Sequence, residues 1–290
     1  MPASIALIIA TFLWGSSFIA LKYAINIYEP AFVIFFRMLT TLVICGFLWP
    51  WVKRFNYQKG DWKYLASMSI AEPCLYYLFE GNAMRFTSAS QAGVLVSCFP
   101  LLVAVVAYFM LKEKMTKYIA IGFSLCIGGG IMLTLVSESS TAAPNPLLGN
   151  FLEFLAMACA AYYAVSVKHL STRYSPLALI ALQGLCGSIF FGPFLFFIEI
   201  PPIHDSTALV GIVYLGAFVT IGAYGMYNYA ITKVSVLTAA AFTNLIPIFT
   251  LFLSAIMLGE SLDMKQWFCI LLVFIGVYIS QKRKRKGLLP

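Results

Sequence analysis

Charge is the scarcest property of this 290-residue chain: Asp, Glu, Lys and Arg make up 10% of it, against 61% hydrophobic residues. A water-soluble fold of that composition has too little polar surface to cover itself. There are only two histidines, His169 and His204, both read as solvated side chains at helix ends. The seven cysteines include no CxxC pair and no Cys/His cluster at metal-ligand spacing, so no metal site and no cofactor is expected. They fall one each in seven different apolar runs, which gives no disulfide framework. No GxxxxGK[ST] sequence is present, so nucleotide hydrolysis has no seat here. No nucleophile or acid/base constellation stands out beyond a set of carboxylates in one apolar run, and the chain does not read as an enzyme.

What the sequence has instead is a succession of apolar runs. Crossing a hydrocarbon core of roughly 30 Å takes about 20 residues. Ten runs qualify, near 4–25, 30–50, 63–84, 88–111, 117–136, 149–169, 176–198, 207–230, 236–258 and 265–281. The first has no basic leader or small-residue cleavage site and holds Trp14 and Lys22, so it is read as a retained helix. The fold class expected is an all-α membrane protein of ten transmembrane helices. Its parts are a first unit at 1–136, an extracytoplasmic Ser/Thr/Pro-rich linker at 137–148, a second unit at 149–281 and a basic tail at 282–290.

Basic residues mark the cytoplasmic side. Lys53, Arg54, Lys59 and Lys63 lie between spans 2 and 3, Lys112, Lys114 and Lys117 between 4 and 5, Lys168 and Arg173 between 6 and 7, and Lys233 between 8 and 9. Only Lys22, Arg85 and Lys265 fall on the other side. Both termini are therefore expected in the cytoplasm. The net charge of +8 is absorbed by topology and anionic lipid headgroups, which leaves the bilayer as a partner and no case for nucleic acid.

The chain also matches itself. Pro30 meets Pro176 and Lys22 meets Lys168 at an offset of 146, while Pro100 meets Pro247 and Glu113 meets Glu260 at 147. Tyr77 and Tyr224 then coincide. Units of five spans enter the membrane from opposite faces, and the loop charges agree: Lys112, Lys114 and Lys117 align with Gly259, Ser261 and Met264.

Trp14-Gly15-Ser16-Ser17-Phe18, Phe36-Arg37, Thr87-Ser88-Ala89-Ser90-Gln91-Ala92, and Pro100 followed by Leu111-Lys112-Glu113 resemble the EamA-type pattern of the drug/metabolite transporter superfamily. The second half repeats it more weakly through Ala239-Ala240-Ala241, Pro247 and Leu258-Gly259-Glu260, so the resemblance covers essentially the whole chain. It implies two inverted five-helix repeats, a central substrate cavity, and export or exchange of small metabolites such as amino acids. The second half departs from the pattern at Ala160-Ala161-Tyr162-Tyr163, where the first has Trp14-Gly15-Ser16-Ser17. The two sides of the cavity should therefore differ chemically. The expected setting is a bacterial inner membrane, with monomer and homodimer both open.

Glu72, Tyr76 and Glu80 follow at intervals of four in span 3. A carboxylate at mid-membrane costs roughly 2.5 to 3.5 kcal/mol, so these side chains should face protein, water or a ligand. Glu72 precedes Pro73, which removes a backbone donor. Arg37 lies at a depth similar to that of Glu80, and the two are read as an ion pair, structural or gating. Glu72 and Glu80 are the candidate proton carriers. Span 8 answers with Thr220, Tyr224, Tyr227 and Asn228. Trp14, Tyr162 and Tyr163 offer aromatic surfaces, and Ser97 and Asn244 sit beside the breaks at Pro100 and Pro247. The substrate-binding set is thus Trp14, Glu72, Tyr76, Ser97, Tyr162, Tyr224, Asn228 and Asn244. Most aromatic residues are read as lipid-facing, packing or interfacial, and any single one as scaffold sooner than site. Metabolite export by alternating access leads; uptake, antiport and flipping of a lipid-linked substrate are the alternatives.

Overall fold

The computed structural model describes residues 1–53, 55–112, 117–199 and 205–280. Among them the chain is helical, with no strand beyond a lone bridge between Phe55 and Tyr174. The first half contains α1 (Ala3–Ile25), α2 (Pro30–Phe47), α3 (Trp49–Val52), α4 (Asp61–Ser69), α5 (Tyr76–Phe86), α6 (Ala89–Leu95), α7 (Phe99–Leu111) and α8 (Lys117–Val136). The second contains α9 (Pro146–Leu170), α10 (Pro176–Phe191), α11 (Ser206–Tyr214), α12 (Tyr224–Lys233), α13 (Val236–Phe242), α14 (Ile246–Met257) and α15 (Met264–Ser280). Eight helices among the described residues are long and apolar enough to cross a membrane, counting α6–α7 and α13–α14 as continuous through 3₁₀ turns and α11–α12 through a π-segment. The basic tail, Arg54, Glu113, Lys114 and His204 lie outside the described residues.

Local sequence explains the helix ends and interruptions. Pro30, Pro146 and Pro176 open their helices in the first turn, where a missing N–H costs nothing. Ser88, Asn145, Ser175, Asp205 and Ser235 each cap a helix by accepting the N–H three residues on. Ahead of Pro100 and Pro247 the chain tightens into 3₁₀ turns at Val96–Cys98 and Thr243–Leu245. The predicted third span is broken: α4 passes through a π-segment at Ile70–Leu75 into α5, and Glu72 there has φ −148° and ψ 118°. The residue before a proline avoids helical ψ, so Pro73 accounts for the break. Leu215–Ala223 forms a second π-segment between α11 and α12.

Contacts recur at the offsets read from the sequence. α8 packs on α15 through Gly129 against Val273 and Gly276 against Gly122 and Cys126. α2 packs on α10 through Gly184 against Leu42 and Gly187 against Met38. The Ser16 hydroxyl meets Tyr214 OH at 2.6 Å, and Tyr162 OH donates to Ser67 Oγ at 2.9 Å. Lys22 Nζ donates to the carbonyls of Met84, Thr87 and Ala142 at 2.6, 2.8 and 2.7 Å. Lys168 Nζ donates to those of Ile231 and Val234 at 2.7 and 3.0 Å. These lysines correct the reading of both as loop charges. Each sits in a helix and caps the C-terminal carbonyls of another, which have no intrahelical donor, and Lys22 also holds the linker at Ala142.

One more tie links the two halves. Asp61 accepts from the Gln58 N–H at 3.0 Å and from Tyr174 OH at 3.1 Å, and pairs with Arg173 Nη2 at 2.6 Å. The Phe55 and Tyr174 rings stack beside it, 5.9 Å apart. At the opposite end of the sequence, Glu260 accepts the Ala89 and Ser90 N–H groups at the start of α6.

Candidate functional site

The break at Glu72 turns its carboxylate into a small internal chamber of about 50 Å³. α1 contributes Trp14, Ser17 and Phe18; the π-segment and α5 contribute Glu72, Tyr76 and Glu80. α9 adds Met157, Ala160, Tyr163 and Ala164, and α12 adds Tyr224 and Tyr227. Val96, Phe99, Thr243 and Ile246 close it at the two 3₁₀ turns. One wall is acidic and the facing wall is aromatic and neutral.

Three groups on this wall are buried with no hydrogen-bond partner among the described residues: Glu72 Oε1, Trp14 Nε1 and Tyr227 OH. Trp14 packs edge-on against Tyr224 with ring centroids 5.1 Å apart, and at 5.0 Å against Tyr227. Tyr77 OH reaches Tyr224 OH at 3.3 Å. Glu80, 4% exposed, accepts a hydrogen bond from Tyr76 OH and lies 3.9 Å from Arg37 Nη1. Arg37 in turn donates through Nε to Thr220 Oγ1 at 3.0 Å and stands over the Tyr77 ring at 4.3 Å. The guanidinium therefore has three satisfied contacts in a dry setting, one of which is the Glu80 carboxylate.

Trp14, Glu72, Tyr76, Glu80 and Tyr224 thus come together, with Arg37 behind Glu80. Four other candidates do not reach the chamber wall. Tyr162 points to Ser67 in α4, and its neighbour Tyr163 takes the wall position. Ser97 is fully buried with an unpartnered hydroxyl, while Val96 and Phe99 line the space. Asn228 donates to Tyr163 OH at 2.9 Å from behind. Asn244 donates to the Ala241 carbonyl at 2.9 Å, and Thr243 replaces it on the wall. In each case the residue type was legible and the rotational phase of its helix was not.

Sequence reasoning also passed over Glu153 and Gln183. Glu153 is wholly buried in α9 and Gln183 is buried in α10, with neither the carboxylate oxygens nor the amide partnered among the described residues. The signal for both was present, as a polar side chain within an apolar run.

The sequence model of the EamA-like transporter family matches this chain twice, over residues 1–135 and 147–281. The chain belongs to that family. Its EamA-like relatives include the uncharacterized transporter YetK of Bacillus subtilis, 28% identical over 73% of this chain and 64% of that protein. The chain therefore spans just under two thirds of YetK. YcxC of the same organism, also an uncharacterized transporter, is 24% identical over 99% of this chain and 96% of that one. An uncharacterized transporter of Archaeoglobus fulgidus is 26% identical over 98% and 100%. A solved crystal structure superposes with a TM-score of 0.72 over 99% of this chain and 98% of its own at 13% identity, a likeness of fold alone. The chain is a multi-pass membrane transporter, with a small-molecule substrate and the lipid bilayer as its partners.

Proposed function

We propose that this EamA-like protein is a secondary active transporter that exports small zwitterionic metabolites, amino acids or their relatives, by alternating access. The observation that carries the reading is the set of open hydrogen-bonding groups in the chamber: an acceptor at Glu72 Oε1 and donors at Trp14 Nε1 and Tyr227 OH. Each buried polar group left unpaired costs about 1–3 kcal/mol, a cost that a bound ligand relieves. A zwitterion fits the set, its ammonium on Glu72 and its carboxylate on the indole and phenol donors. The edges of Trp14, Tyr224 and Tyr227 supply the apolar surround that fixes orientation.

The transport cycle we envisage uses ten spans in two inverted repeats, 1–136 and 149–281, joined by the linker at 137–148, with both termini in the cytoplasm. The recurrence of the lysine caps, glycine contacts and 3₁₀ turns at the offsets of 146 and 147 supports this. Arg37 and Glu80 form the outer gate in this scheme. Their contact is long at 3.9 Å and is shared with Thr220 and Tyr77, so it can be remade without leaving the charge bare. A lipid-linked substrate is disfavoured. The apolar crevice between α8 and α9, lined by Leu95, Ile127, Ile131 and Phe151, shares no lining residue with the chamber.

Counterflow of a labelled amino-acid mixture into proteoliposomes tests the reading. Removing a charge-assisted hydrogen bond is worth about 1.5–3 kcal/mol, so Glu72→Gln should lower exchange about 10- to 150-fold. Exchange at the wild-type level in that variant would remove Glu72 from the substrate site.

A further inference from the structure

We infer that Glu153 is a proton-carrying site of this transporter, set apart from the substrate chamber and one helical turn from it along α9. The inference rests on the transporter reading and goes beyond it, because Glu153 lines no part of the chamber.

Its position comes from the helix. Met157, Ala160 and Ala164 of α9 line the chamber, and Glu153 lies one turn before Met157 on the same face. A turn earlier again is Asn150, the hub of a buried polar cluster. It accepts from Thr87 Oγ1 at 2.6 Å and donates to Gln91 Oε1 and Thr134 Oγ1 at 3.0 Å each. The face of α9 therefore runs from the Thr87–Gln91–Asn150 cluster through Glu153 to the chamber. The facing α5, which carries Tyr76 and Glu80 on the chamber, packs against α9. Of the other charged residues on elements packed against α9, Glu72 belongs to the chamber. Arg85 ends α5, Asp61 and Lys63 start α4, Lys117 starts α8 and Lys233 ends α12; α6, α7 and α13 carry none.

Charge balance then narrows what Glu153 does. Glu72, Glu80 and Glu153 are buried in this region with one guanidinium, Arg37, which lies against Glu80. In the proposed cycle the ammonium of the substrate answers Glu72. Among the described residues Glu153 has no cation and no hydrogen-bond donor, since both of its oxygens are without partners. A bare carboxylate at mid-membrane costs roughly 2.5–3.5 kcal/mol or more, so its neutral form needs a proton. A metal ion is a poorer answer, because no group of three or more His, Cys, Asp or Glu that could hold one occurs among the described residues. The chemistry is simple: the carboxylate takes H⁺ from water to become the neutral acid and returns it to water on the other side. The carboxyl differs from Glu80, which is held by Tyr76 and Arg37, in having nothing to release when it changes state.

The test uses the full chain and the proton itself as probe. Infrared spectra of purified wild-type protein and Glu153→Gln are taken across a pH titration, and the protonated-carboxyl stretch is compared. The wild-type band should lose intensity as pH rises, and the variant should lack one of its components. Glutamine matches the neutral acid in shape, so the variant should melt no lower than wild type. In proteoliposomes it should keep counterflow within about twofold of wild type and lose at least tenfold in accumulation driven by a pH gradient, about 1.4 kcal/mol. An unchanged carboxyl band, undiminished pH-driven accumulation, or a variant that fails to fold would each overturn the proposal, the last by showing that Glu153 holds the structure together. The infrared arm needs no substrate, so failure of every amino acid to exchange would count against the proposed function alone.

Discussion

Replacing Lys22 by methionine should destabilise the protein more than the same change at Lys168. Both side chains cap the carbonyl end of a helix from another element, but their surroundings differ. Lys22 is 4% exposed and has three carbonyl acceptors, whereas Lys168 is half-buried and has two. Methionine keeps the length of the side chain and removes every donor. At position 22 the buried carbonyls of Met84 and Thr87 are orphaned at about 1–3 kcal/mol each and the more exposed one of Ala142 loses about 0.5–1.5 kcal/mol, a gross loss of about 2.5–7.5 kcal/mol. Relief of the ammonium's own desolvation, several kcal/mol, offsets part of this, leaving about 2–4 kcal/mol. At position 168 water can reach the freed carbonyls, and two ordinary net contributions of about 0.5–1.5 kcal/mol give about 1–2 kcal/mol. Unfolding in mixed micelles by stepwise addition of SDS, followed by tryptophan fluorescence, measures both. A Lys22→Met variant no less stable than Lys168→Met would refute the accounting and, with it, the capping role.

Gly276→Ala should destabilise, because the new Cβ would lie 2.8 Å from Gly122 O and 2.9 Å from Cys126 N, both backbone atoms. Overpacking of about 1–3 kcal/mol exceeds the gain of up to about 1 kcal/mol in helix propensity, and Gly128→Ala, which meets nothing within 4 Å, should be neutral or stabilising in the same melt. Asp61 sets a pH limit at the edge of the membrane: burial opposes its charge, yet hydrogen bonds from the Gln58 N–H, Arg173 and Tyr174 outweigh it and hold the carboxyl below its usual range. Its stabilising effect is full above the unfolded value of about 4 and fades as pH falls through the lower folded value. The melting-temperature gap between wild type and Asp61→Asn should therefore be open at neutral pH and close below about pH 4.

Much of this was legible in the chain, for reasons that differ by residue. Glu72 announced itself because a carboxylate beside a proline in an apolar run has few bland explanations, and the structure breaks the helix at that residue. The Arg37–Glu80 contact followed from depth alone, since helix rise converts sequence position into distance from the membrane face. Tyr162 and Tyr163 show where such reasoning stops. Adjacent residues on a helix point about 100° apart, and only the packing of α9 decides which of the two meets the chamber. Ser97 and Asn244 fail for a related reason, because each lies in a 3₁₀ turn whose tighter winding shifts the face presented. Lys22 and Lys168 looked like topology markers because their partners are backbone carbonyls far along the chain, which leave no trace in side-chain sequence.

The serine–tyrosine contacts make each half depend on the other. Ser16 in the first half reaches Tyr214 in the second, and Tyr162 in the second reaches Ser67 in the first. Aligned halves put serine opposite tyrosine at both places, so the short and long partners have traded sides. Two copies of the first half would set Ser16 against Ser67, too short to touch; two copies of the second would set Tyr162 against Tyr214, too long to fit. Each half is complementary to its sister and no longer to itself. Neither half could therefore be replaced by a second copy of the other without losing both contacts.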